Sequence, residues 1–166
     1  MSALRSFWTQ TTTAFRNCQL FFAVFTIGFT DAAIAYAALP GVVAAQFAHW
    51  DNLLGGAGGY PEPQCRIWIA LAAANVATLA MMCYLLLRDL QRYAALQLPL
   101  LFMKSASAML FVCWFLAVPD ARSLLVAALG DFATAWGIWY FPRRALAELA
   151  ATPTGGVTLL PARRPI

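Results

Sequence analysis

The sequence is poor in charged residues. Only 11% of its 166 residues are Asp, Glu, Lys or Arg, whereas 62% are hydrophobic. A soluble domain carries roughly 25% charged residues, so this shortage argues against a surface that faces water. The apolar residues also come in long blocks, which indicates that lipid surrounds much of the chain.

Ligands for metals and redox groups are also scarce. Cys18, Cys65, Cys83 and Cys113 form no CxxC pair, and His49 is the only histidine. These features argue against a zinc site and exclude a haem held by two histidines. His49 alone remains a possible axial ligand of a haem or chlorophyll, although an interfacial side chain is the simpler interpretation. We predict no metal and no resident cofactor.

No motif for nucleic-acid binding, phosphate binding or nucleophilic catalysis is present. The net charge is +4, but the basic residues flank apolar blocks and form no face with interleaved aromatics, which favours lipid headgroups over nucleic acid. The glycine run 55–59 has no preceding strand and no following Gly-Lys-Ser/Thr, so it predicts a flexible loop. Ser105 and Ser107 lie near Lys104, yet no oxyanion donors accompany them, and an enzyme is not favoured.

Four apolar blocks are each close to the roughly 20 residues that cross a bilayer core. The predicted order is an interfacial segment at 1–17, spans at about 18–39, 67–87, 96–118 and 124–141, with a connection at 40–66 and a disordered tail at 150–166. Within the connection, residues 42–47 are expected to continue a helix for a turn or two. Short turns between the later blocks predict an all-α, antiparallel four-helix membrane bundle. The first block could instead be a secretory signal with Ala35-Tyr36-Ala37 as its cleavage box, but its length and Asp31 argue against this.

The distribution of arginine predicts the orientation. One set of flanks holds Arg5, Arg16, Arg88, Arg92, Arg143, Arg144, Arg163 and Arg164, and the other holds Arg66 and Arg122. Because basic residues are retained on the cytoplasmic side, we expect both chain ends in the cytoplasm.

One strongly polar side chain interrupts each block: Asp31, Asn75, Lys104 and Asp131. Each falls roughly 12–20 Å into its span at 1.5 Å per residue. An isolated charge at this depth costs at least about 2.5–3.5 kcal/mol. We therefore expect an inward cluster in which Lys104 bridges the two carboxylates and the amide adds hydrogen bonds. Such a cluster is either a structural ion pair that fixes helix pairing, or a proton relay, ion relay or small-ligand site.

Several short features resemble the small four-span bacterial membrane proteins of the DoxX-like families. These features are Leu39-Pro40 followed by Phe47, Arg66-Ile67-Trp68, Lys104 and Gly130-Asp131, within about residues 20–141. The resemblance implies a multi-pass protein of the bacterial cytoplasmic membrane with a link to quinone or thiol redox systems. No cysteine motif of this chain carries over to support the redox role.

Three functions follow as hypotheses. The first is a non-catalytic accessory subunit of a larger, possibly energy-converting, membrane complex, because neither a catalytic constellation nor a sizeable soluble domain is present. The second is a proton-coupled carrier or ion-conducting homo-oligomer that uses Asp31, Lys104 and Asp131. The third is a quinone-linked DoxX-like redox protein. The expected partners are the lipid bilayer and either other membrane subunits or further copies of the chain.

Overall fold

The computed structural model describes residues 12–56 and 66–151. Its helices are α1 (Thr13–Ala38), α2 (Pro40–Leu53), α3 (Arg66–Arg88), α4 (Gln97–Ala117) and α5 (Ser123–Ala151), with a 3₁₀ turn at Ala94–Leu96 before α4. No strand occurs in the described residues, which confirms the predicted all-α class.

Four of these helices are long and apolar enough to cross a membrane. They are α1, α3, α4 with its preceding 3₁₀ turn, and α5, with mean hydropathies of 1.7, 2.0, 1.8 and 1.4 in that order. Their outward surfaces carry large apolar side chains such as Leu98, Phe102 and Leu116, which are 74%, 70% and 72% exposed. Contact with water would cost such surface about 25 cal/mol per Å², a cost that lipid removes. The four helices are those expected of a multi-pass membrane protein.

Some predicted segments lie outside the described residues. These are most of the interfacial segment 1–17, the glycine- and proline-rich end of the connection 40–66 and nearly all of the tail 150–166. Within the described part, α1 already begins at Thr13, inside the predicted interfacial segment.

The connection after the first span contains α2, which is longer than the turn or two of helix expected from the sequence. Leu39 leaves the helical conformation with φ −136° and ψ 51°, because the residue before a proline is disfavoured in α-helix. Pro40 then occupies the first helical position of α2, where its missing N–H leaves no helical bond unmade. The proline at residue 40 therefore ends one helix and starts the next.

Two glycines that were predicted to lie in a flexible loop instead cap the end of α2. Gly55 has φ +72°, which favours glycine, and its N–H donates to the carbonyl of Asn52 at 3.2 Å. The N–H of Gly56 donates to the carbonyl of Asp51 at 2.8 Å, which completes a Schellman motif. A Cβ at Gly56 would overlap the carbonyl oxygen of Asp120, so this position also requires a close backbone approach.

The helix that contains the predicted fourth span extends beyond it. The predicted span ends at residue 141, before Pro142, whereas α5 continues through this proline to Ala151. Proline removes one backbone hydrogen bond within a helix, and membrane helices tolerate it where neighbouring helices surround it. Pro142 is buried in that way, whereas Arg143 and Arg144 are exposed.

The helix packing is uneven. α1 packs against α3 and α5, and α4 packs against α5, whereas α3 and α4 contact each other only sparsely. The core contains Cys18, Phe22, Leu79, Cys83, Leu86, Leu90, Leu100, Ile138 and Ala145. At the start of α1, the N–H of Ala14 donates to Glu148 Oε2 at 3.3 Å, close to the end of α5.

Gly137 of α5 permits a close approach of Phe21 of α1, and it provides a test of this packing. A Cβ at Gly137 would overlap the ring of Phe21, which the neighbouring rings of Phe22, Phe25 and Phe141 hold in place. We expect Gly137→Ala to lower the free energy of unfolding by about 1–3 kcal/mol, because overpacking outweighs the gain in helix propensity. Denaturation by SDS in mixed micelles, followed by circular dichroism, measures this change.

Gly28→Ala is the matched control for this substitution. No atom of a described residue lies within 4 Å of a Cβ built at Gly28, which also lies within a membrane helix. The control should be neutral or stabilising by up to about 1 kcal/mol. Equal losses for the two variants would contradict the proposed contact with Phe21.

Candidate functional site

The strongest polar contact between the spans is an ion pair. Lys104 Nζ of α4 lies 2.6 Å from Asp131 Oδ1 of α5, and the two side chains are 11% and 15% exposed. Lys104 is seven residues from the start of α4, and Asp131 is eight residues from the start of α5. At the helical rise, these separations correspond to roughly 10 and 12 Å along the helix axes. Both groups therefore lie within the apolar spans and not at their ends.

Two neighbours complete the surroundings of the pair. The hydroxyl of Ser107 donates a hydrogen bond to Asp131 Oδ2, so both carboxylate oxygens accept one. Lys104 Nζ lies 4.6 Å from the ring centroid of Phe29, a distance suited to a cation–π contact. The pair thus connects α4 and α5 directly and contacts α1 through an aromatic face. Ser107 donates to the carboxylate of Asp131 and makes no hydrogen bond with Lys104 Nζ, so the two residues do not form a Ser/Lys pair.

A cavity of about 460 Å³ adjoins the ion pair. Its walls come from all five helices and consist of Phe29, Ala32, Tyr36, Phe47, Ala72, Asn75, Val76, Leu79, Met103, Lys104, Ser107, Phe111, Ala127, Gly130 and Asp131. Three of the four predicted polar residues therefore border one space. The side chain of Asn75 makes no hydrogen bond with another described residue.

Asp31 does not join the other three. It is exposed, does not line the cavity and pairs with no described residue, so the expected bridge from Lys104 to Asp31 is absent. The reason is helical phase. Phe29 is the α1 residue that faces Lys104, and Asp31 lies two residues further on, or about 200° around the helix. Its carboxylate is at a similar depth to the ion pair but on the opposite side of α1.

His49 lies on α2 and is exposed. Its ring contacts that of Trp50, with 6.1 Å between centroids, and it does not line the cavity. The described residues contain no group of three or more His, Cys, Asp or Glu side chains placed to hold a metal ion.

Asp51 is a structural residue that the sequence analysis missed. It is fully buried at the end of α2, and its Oδ1 accepts a hydrogen bond from the backbone N–H of Ser123 at the start of α5. A carboxylate is favourable there because a helix N-terminus carries partial positive charge. The sequence signal was an acidic residue following an apolar stretch, but nothing in the sequence indicated which helix it meets.

The comparisons with known proteins do not identify this site. Neither the family models, nor the curated proteins, nor the solved structures contain a significant match to the chain.

A double-mutant cycle tests the ion pair. We expect Lys104→Met and Asp131→Leu each to destabilise the protein by about 3 kcal/mol, because each leaves a mostly buried charge without its partner. The double variant should lose less than the sum, with a coupling of about 1–3 kcal/mol. The same unfolding measurement in mixed micelles gives these values.

The matched cycle pairs Lys104→Met with Asp31→Leu. Asp31 does not contact Lys104, so the coupling in this cycle should stay below about 0.5 kcal/mol. A larger coupling to Asp31 than to Asp131 would contradict the geometry described above.

Proposed function

We propose that this protein is a non-catalytic membrane subunit that joins a larger assembly through the outward face of α1. One observation carries this proposal: Asp31 lies within a candidate membrane span, exposed and without a partner among the described residues. In lipid such a carboxylate costs at least about 2.5–3.5 kcal/mol. A partner helix that covers it removes that cost.

The proposal includes a membrane arrangement. In it, α1, α3, α4 and α5 cross the bacterial cytoplasmic membrane as an antiparallel bundle with both chain ends in the cytoplasm. The arginine distribution supports this orientation. Two contacts support opposite directions for α1 and α5. Ala14 at the start of α1 contacts Glu148 near the end of α5, and Asp51 near the end of α2 contacts Ser123 at the start of α5.

The residues around Asp31 form a regular stripe, here called the α1 stripe. Its members are exposed and alternate in spacing between three and four residues: Asn17, Leu20, Val24, Ile27, Asp31, Ile34 and Ala38. This spacing is that of the a and d positions of a coiled coil, where side chains of one helix enter the surface of another. A single polar residue in such a seam fixes the register and the choice of partner.

The chemistry of Asp31 indicates the partner. A carboxylate in lipid is best matched by a basic or amide side chain at the same depth. Among the described residues, Lys104 is the only lysine or arginine near the depth of Asp31, and it is already paired with Asp131. Arg143 and Arg144 lie 12 and 13 residues further along α5 than Asp131, or roughly 18–20 Å away along the helix. The described part of a second copy therefore offers no free cation at this depth. A helix of a different membrane protein, carrying such a donor, fits better.

The two other hypotheses receive less support from the geometry. A proton-coupled carrier that uses Asp31, Lys104 and Asp131 together requires one continuous path, and α1 lies between Asp31 and the ion pair. The quinone-linked hypothesis remains a prediction from resemblance.

Cysteine labelling tests the membrane orientation. In a chain with Cys65 and Cys113 replaced by Ala, single cysteines at Asn52 and Gln91, both exposed, should lie on opposite sides of the membrane. A membrane-impermeant maleimide added to intact spheroplasts should label position 52 and should reach position 91 only after permeabilisation. Equal labelling of both positions in intact spheroplasts would contradict the orientation.

Photo-crosslinking tests the α1 stripe. Benzophenone placed at Ile27 or Ile34 in native membranes should give an adduct of one discrete mass that differs from twice the chain mass. The same group at Leu116 of α4, which is similarly exposed, is the control and should give none. The Asp31→Leu variant should abolish the adduct, and Asp31→Asn should retain part of it, since an amide still forms interhelical hydrogen bonds.

Three outcomes contradict the proposal. The first is an adduct whose mass is that of two copies of the chain. The second is an adduct that forms equally well with Asp31→Leu. The third is equal cross-linking from the stripe and from Leu116.

A further inference from the structure

We propose that the cavity beside Lys104 and Asp131 binds a neutral, lipid-soluble molecule whose polar head carries a carbonyl or hydroxyl oxygen. This inference is independent of the α1 stripe, because Asp31 and the exposed side chains around it lie on the other side of α1. It depends on the size of the cavity, its hydrogen-bonding groups, its charge and its access from lipid.

The size and lining of the cavity suit a small molecule. Its volume of about 460 Å³ falls within the roughly 300–1,000 Å³ of ligand pockets. Apolar side chains such as Val76, Met103 and Phe111 form most of the wall, and a few polar groups lie together at one place. An apolar wall with a small number of placed polar groups is the usual composition of such sites.

Hydrogen-bond donors are available at the polar end. The ammonium of Lys104 has three N–H groups. One of them donates to Asp131, and the ammonium also lies over the ring of Phe29. The amide of Asn75 makes no hydrogen bond with a described residue. Polar groups without partners are costly in hydrocarbon, so a ligand oxygen that accepts from either of them stabilises the site.

The charge of the site favours a neutral ligand. The ammonium and the carboxylate cancel, and both oxygens of Asp131 already accept hydrogen bonds. An anionic head would lie beside the carboxylate of Asp131, and a cationic head beside Lys104. In a low-dielectric interior an additional uncompensated charge is strongly unfavourable. A neutral oxygen accepts the free N–H groups without that cost.

The route into the cavity lies between α3 and α4. These two helices contact each other only sparsely, and each contributes wall residues. Asn75 of α3 lines the cavity and is nevertheless exposed, so the space is open at this side. A molecule dissolved in the bilayer therefore reaches the polar end laterally, without crossing either membrane surface.

Photolabelling of the full chain in phosphatidylcholine nanodiscs tests the proposal. The probe is a dodecanol derivative with a diazirine in its alkyl chain, and mass spectrometry maps the labelled peptides. Labelling of the α3 and α4 wall should be saturable and displaced by dodecanol. Dodecanoate and dodecylammonium should displace it at least about tenfold less well, because each adds a charge. The corresponding diazirine alkane, without a head group, should label without saturation.

Two glycines provide a matched pair of variants. Both lie in membrane helices with no atom of a described residue within 4 Å of a built Cβ, but Gly130 lines the cavity and Gly28 does not. Gly130→Leu, which adds a side chain at the wall of the cavity, should weaken saturable labelling about tenfold or more, and Gly28→Leu should leave it unchanged. If Gly130→Leu does not fold, Asn75→Leu, which leaves the ion pair intact, should weaken labelling by the alcohol to the level of the alkane.

The proposal is overturned by any of three results. These are labelling by the alcohol that does not saturate, displacement by dodecanoate as effective as by dodecanol, and equal labelling of the cavity variants and Gly28→Leu. None of them bears on the α1 stripe, whose cross-linking is measured separately.

Discussion

The arrangement depends on one constraint, which is that a charge in hydrocarbon requires an opposite charge or a hydrogen-bond donor beside it. Lys104 and Asp131 satisfy this requirement for α4 and α5 with a contact of 2.6 Å, and Ser107 satisfies the second carboxylate oxygen. Buried pairs of this kind contribute more to the choice of neighbour than to stability. The pair therefore favours the packing of α4 on α5.

The presence of the long helices could be predicted because length and hydropathy alone determine it. Their ends were harder to predict, since they depend on tertiary context. Pro40 and Pro142 illustrate this, because the first ends α1 as a proline normally does, whereas the second lies inside α5 with its neighbours packed around it. The cap formed by Gly55 could be explained afterwards but not foreseen, because the helix that it ends was predicted only as a turn or two.

The sequence predicts how deep each polar residue of the site lies in its helix, but not which way its side chain faces. Hydropathy places Asp31, Lys104 and Asp131 at similar levels, and the cost of charge in lipid implies that they seek partners. It does not specify which side of each helix is turned inward. α1 is apolar on nearly every face, so its sequence has no strong stripe that identifies the packed side. Only the tertiary structure reveals that Phe29 faces the lysine and that Asp31 faces outward.

The two attachments of α5 have a mechanical consequence. Glu148 attaches the end of α5 to the start of α1, and Asp51 attaches the start of α5 to the end of α2, so both ends of α5 are tied to the first two helices. α3 packs on this unit through α1, and α4 packs on it through α5, whereas α3 and α4 contact each other only sparsely. A change in the distance between α3 and α4 therefore breaks few contacts and leaves both attachments of α5 in place.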